Sequence, residues 1–198
     1  MRQMLLVLFF IVSVLQAEEL AQPKNCDGKI VTLNPSGKIT VVMASSQPLA
    51  ETTREFGRSM YPWQGLEDFR VIVVVDLRKS LGTLFKGWTV GKMKADLNEE
   101  AETLQPWFRG RGNQGNPRET LCAIPDFDGK ATESLGWGPD ERKMKVSIFG
   151  KGRQLIWSSR DVAASSEVTN RLKELLGTPA PRPPDAVPKK SKMLLRRS

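Results

Sequence analysis

The chain of 198 residues and 22.1 kDa is long enough for one domain plus ends, and its 39% hydrophobic and 26% charged residues are an ordinary globular mixture. It has no histidine and only two cysteines, Cys26 and Cys122, which excludes Ser-His-Asp and Cys-His catalysis, histidine-ligated zinc, four-thiolate metal sites and any Cys-x-x-Cys pair. The formal charge of +8 lies mostly in the last 21 residues, where six bases face one acid, while residues 18–177 hold 23 bases and 21 acids; a duplex-binding domain carries its own basic face, so no nucleic-acid partner is expected.

Met1-Arg2-Gln3 followed by the apolar run Met4–Leu15 and then Gln16-Ala17 has the pattern of a secretory leader. Cleavage is expected after Ala17, with residues 18–26 as a lead-in. Twelve residues are too few for a bilayer, which needs about 20, and nothing later in the chain is apolar for long enough to span one. The expectation is an exported protein, periplasmic or secreted, with no transmembrane span once the leader is removed.

Lys29–Leu33 alternates as a strand does, Asn34-Pro35-Ser36-Gly37 has turn chemistry, and Lys38–Ala44 reads as the next strand, so a hairpin is predicted. Ser45-Ser46-Gln47-Pro48 then leads into a helix whose apolar stripe is Leu49, Thr52/Thr53, Phe56 and Met60. The run Val71–Val75 predicts a strand buried on both faces, hence a parallel sheet covered by helices. Residues 79–118 read as a helical and loop insertion, with Met93, Leu97, Ala101, Leu104 and Phe108 on one helical face. Leu121–Ile124 is a short strand closed by the turn Pro125–Gly129. Val146/Ile148 and Leu155–Trp157 form a second hairpin. Val168, Leu172, Leu175 and Leu176 lie on one face of a last helix ended by Gly177 and Pro179. Residues 178–198 read as a Pro-rich, basic, disordered tail that could touch an anionic surface.

In this order the chain resembles the thioredoxin-like superfamily, in its exported thiol–disulfide oxidoreductase and peroxiredoxin-like branches. The residues that carry the resemblance are Asp27–Leu33, Gly37–Val42, the loop into the helix at Pro48–Glu51, Ile124–Ala131, Leu135-Gly136-Trp137 and Val146–Ile156. It implies a three-layer α/β domain over residues 27–177, with a mixed central sheet, an N-terminal β-hairpin and helices on both faces. It also implies that the redox cysteines would stand in the loop Ser45, Ser46, Gln47, Pro48 and Leu49, near Ser46 and Leu49. No cysteine lies between residues 27 and 121, the family's proline before the second hairpin is absent, and a serine hydroxyl without a base is a poor substitute for thiolate.

No catalytic residue, cofactor or metal is therefore assigned. The first functional expectation is a non-catalytic module that binds an unknown protein or small ligand; the alternative is an atypical thiol–disulfide oxidoreductase using Cys26 and Cys122. Cys122 reads equally as a buried small hydrophobe or as half of a disulfide with Cys26. Gly110–Gly115 matches G-x-G-x-x-G, but it follows a helix and precedes a strand, the reverse of a dinucleotide site. Asp126 and Asp128 beside Gly129 read as turn residues before cation ligands. The five tryptophans are expected mostly in the core or at its rim.

Overall fold

The computed structural model describes residues 20–139, 142–160 and 165–184; the leader and residues 185–198 of the tail lie outside them. Three β-branched or apolar runs form parallel strands: β1 (Ile39–Ser46), β2 (Phe69–Asp76) and β3 (Leu121–Asp126). A hairpin of β4 (Lys145–Phe149) and β5 (Leu155–Ser159) adds two antiparallel strands. The sheet order is β3-β2-β1-β4-β5, with β4 antiparallel to β1. The helices are α1 (Ala50–Arg58), α2 (Lys86–Gly110), α3 (Lys130–Ser134) and α4 (Ser165–Leu176). A parallel β-α-β unit joined to a β-β-α unit in one mixed sheet is a thioredoxin-like α/β fold.

Two cores follow from the period-2 alternation of the strands. On one face Val41, Met43, Val71, Val146 and Ile148 pack with Phe56 of α1, with Met60 just beyond that helix, and with Val168 and Leu172 of α4. On the other, Val42, Ala44, Ile72, Val74, Cys122 and Ile124 pack with Val31, Leu33, Ala131 and Trp137. Helices thus cover both faces, as expected. A third, smaller cluster joins Tyr61 to Leu104, Trp107 and Phe108 of α2.

The N-terminal hairpin differs from its expectation. Residues 29–33 form no sheet strand; β1 is paired on both sides already, by β2 and β4. The segment closes on itself through a Lys24–Ile30 bridge and lays Val31 and Leu33 onto the sheet face. The start of the tail, residues 178–184, is described. The Ala180 N–H donates to the Pro62 carbonyl at 3.3 Å, and Pro183 is buried. No described helix is long and apolar enough to cross a membrane.

Candidate functional site

Parallel strands bring their carboxyl ends to one edge, where open α/β sheets hold ligands. Register places Ser46 beside Asp76 and Asp76 beside Asp126, so the loops after β1, β2 and β3 meet there. The first is Ser45–Leu49. Ser45 is fully buried and its hydroxyl has no partner among the described residues. Ser46 ends β1, Gln47-Pro48-Leu49 makes one 3-10 turn, and α1 starts at Ala50. The loop therefore enters a helix as expected, but Ser46 makes no side-chain cap hydrogen bond. It holds no thiol, and the carboxylate in register with Ser46 is already committed.

That carboxylate is Asp76, 7% exposed, which accepts from Arg78 through Nε at 3.1 Å to both oxygens and through a terminal nitrogen at 2.7 Å. Arg78 also donates to Glu133 and, at 3.4 Å, to the Thr132 hydroxyl. Its hydrogen bond to Asp76, with Glu133 added, holds the guanidinium even more firmly charged. Asp126 is buried and accepts from the N–H groups of Gly129 and Thr132, at 3.1 and 2.8 Å, and from the Thr132 hydroxyl at 2.9 Å. Burial pushes its carboxyl up from the ordinary value against these bonds, and Asp128 adds to the rise. At Gly129 (φ +79°) the left-handed backbone favours glycine, and a Cβ would fall 2.2 Å from the Arg78 guanidinium, which would have to move aside. The turn reading of Asp126 and Asp128 agrees with this arrangement. Among the described residues no group of three Cys, Asp or Glu side chains is placed to hold a metal ion.

The loop after β2 carries what sequence reading missed. Leu81, Leu84, Phe85 and Trp88 are 78%, 75%, 64% and 70% exposed, within eight residues. Their backbone is well fastened. The Ser80 hydroxyl donates to the Leu77 carbonyl at 3.0 Å, the Thr83 hydroxyl to the same carbonyl, and the Thr89 hydroxyl to that of Gly82 at 3.2 Å. Lys86 sits 5.1 Å from the centroid of Phe127, the residue after β3, and so ties the loop to the same sheet edge. In the sequence these four residues look like any core run; only their lack of a facing element sets them apart. Of the other tryptophans, Trp63, Trp107 and Trp137 are buried and Trp157 is partly so.

Cys26 and Cys122 are free, buried thiols, so the disulfide that was the alternative for them is not formed in this structure. Their segments are neighbours: the Cys26 N–H donates to the Ala123 carbonyl at 2.9 Å. Burial raises both thiols above their usual value, with Asp27 adding to the rise at Cys26. Cys122 lies near the start of β3, four residues before Asp126, which is roughly 13 Å from the loop edge at about 3.3 Å per residue. The structure therefore brings Ser45–Leu49, Asp76 and Asp126 together and leaves the cysteines at a distance. Gly110–Gly115 runs from the end of α2 into the loop before β3, where the Asn113 amide donates to the Gly65 carbonyl at 2.9 Å. A shallow cleft of about 520 Å³ lies between α2 and the Pro117 turn, lined by Asn98, Gln105, Asn116 and Arg118 among others.

No protein-family model and no curated protein matches the chain. Solved structures do. The exposed lipoprotein thioredoxin of Streptococcus pneumoniae is 17% identical, with 77% of this chain and 97% of that one covered, at a TM-score of 0.49. A secreted disulfide oxidoreductase of Mycobacterium tuberculosis is 9% identical over 81% and 99%, at 0.47. StoA of Bacillus subtilis is 7% identical over 76% and 93%, also at 0.47. At such scores the likenesses carry no argument of their own; the fold stands on sheet order and connections.

Proposed function

We propose that this chain is an exported, non-catalytic thioredoxin-like module that binds a partner at the carboxyl edge of its parallel strands. The observation that supports it is the loop after β1, which enters α1 through Ser45–Leu49 without a thiol. A helix entrance lowers the pKa of a thiol placed there; a serine hydroxyl needs a base instead, and Asp76, the carboxylate in register, is bound to Arg78. Export is supported by the leader pattern of residues 1–17.

The alternative, an oxidoreductase using Cys26 and Cys122, draws support from the adjacency of their segments. Against it stand burial and raised pKa, because thiolate is the attacking species. One assay separates the two. Reduction of insulin disulfides with dithiothreitol as the reductant should proceed no faster with the protein than without it. Turnover that disappears in Cys122→Ser would overturn the binding reading.

A further inference from the structure

From Leu77 to Ala95 the sequence has five bases, Arg78, Lys79, Lys86, Lys92 and Lys94, and no acid. The same stretch carries the four exposed residues Leu81, Leu84, Phe85 and Trp88. The first part of α2 lies at the surface: no residue from Leu84 to Glu100 is buried, and a Cβ added at Gly87 or Gly91 would meet nothing within 4 Å. On that helix Trp88, Gly91 and Ala95 are exposed at i, i+3 and i+7, which makes one outward face, and the helical spacing sets Lys92 and Lys94 on its two flanks.

We infer that this surface seats on an anionic lipid bilayer, with Leu81, Leu84, Phe85 and Trp88 at the boundary between headgroups and acyl chains and the lysines among the headgroup phosphates. The inference deepens the binding reading above by naming the partner of the same sheet edge.

Three observations favour a bilayer over a protein segment. The shape is a projection, which a flat interface accepts and a groove-binding peptide does not; the described cleft lies farther along α2, at Asn98–Arg109. The composition is that of an interfacial segment, with Trp, Phe and Leu beside lysines whose long stems can lie along the apolar surface. The charge is complementary as well. The acids around the patch are occupied, Asp76 and Glu133 by Arg78, Asp96 by Arg54 and Lys92, and Asp128 by Lys130. Lys86 and Lys94 are exposed and make no ion pair among the described residues, although Lys86 also lies over the Phe127 ring.

The test reads Trp88 in the full chain. Its emission is the difference between the wild type and Trp88→Phe. Vesicles contain phosphatidylcholine with brominated acyl chains, either alone or with an equal amount of phosphatidylglycerol. The expected result is quenching of the Trp88 component by the anionic vesicles and not by phosphatidylcholine alone, with release by high salt. Lys86→Glu/Lys94→Glu should weaken the response about ten-fold or more, with an unchanged circular dichroism spectrum as evidence of folding. Vesicles that carry the protein down while Trp88 stays bright would overturn the inference, since attachment would then run through another segment. Quenching that ignores lipid charge and the lysine reversal would also overturn it. So would silence toward vesicles, whether or not Trp88 responds to a soluble acidic amphipathic peptide; a saturable response to the peptide would assign the surface to a protein partner. Thiol-dependent turnover would sink the binding reading without moving the Trp88 signal, so the two failures are distinguishable.

Discussion

The two parts of α2 share one helix and have opposite fates. From Lys86 to Glu100 no residue is buried; from Ala101 to Phe108 four are, Ala101, Leu104, Trp107 and Phe108. Both parts carry large apolar side chains. What separates them is the neighbour: Tyr61, Gly65 and Leu121 face the second part, and among the described residues nothing covers Trp88. Helical stability comes mainly from packing one face against the body, so the second part holds the first in place. The junction is fastened by Glu100, which accepts from Arg58 at 2.8 and 3.0 Å and from the Tyr61 hydroxyl.

The contrast can be broken by mutation. Phe108→Ala should cost about 3–5 kcal/mol in denaturant unfolding, because the ring is fully buried and its cavity cannot collapse against Gly65. A cost below 1 kcal/mol would mean that the second part does not anchor the helix. Arg58→Ala removes a two-point pair between half-buried partners and should cost about 1–2 kcal/mol, with Tyr61 still holding Glu100. Amide exchange should quicken in residues 86–100 in that variant, ahead of the rest of the molecule. Trp88→Ser should change stability by less than about 0.5 kcal/mol, since no described element packs on the ring; a loss of 2 kcal/mol would show that the residue is structural.

Much of the fold was legible. The run Val71–Val75 announced a covered parallel strand, Val146/Ile148 with Leu155–Trp157 announced the β4–β5 hairpin, and Gly177 with Pro179 marked the end of α4. These signals are local, and local chemistry decided them. Residues 29–33 misled because alternation fixes which side chains face inward and not which strand they pair with; Val31 and Leu33 did turn inward, on a segment outside the sheet. At the candidate site, the missing thiol was visible at once. The Asp76–Arg78 clamp and the apolar projection were not. The first depends on register between distant strands, and the second on a neighbour that never arrives, which no periodicity encodes.

Gly129 makes room for the side chain that links the third loop to the second. Its missing side chain is the space that Arg78 occupies on its way from Asp76 to Glu133. A side chain at position 129 would therefore meet two obstacles at once, a left-handed backbone and the Arg78 guanidinium, and moving Arg78 aside would relieve only the second. The outward surface from Leu81 to Trp88 carries no such constraint and is free to be retuned for a new docking target while the frame beneath it stays the same.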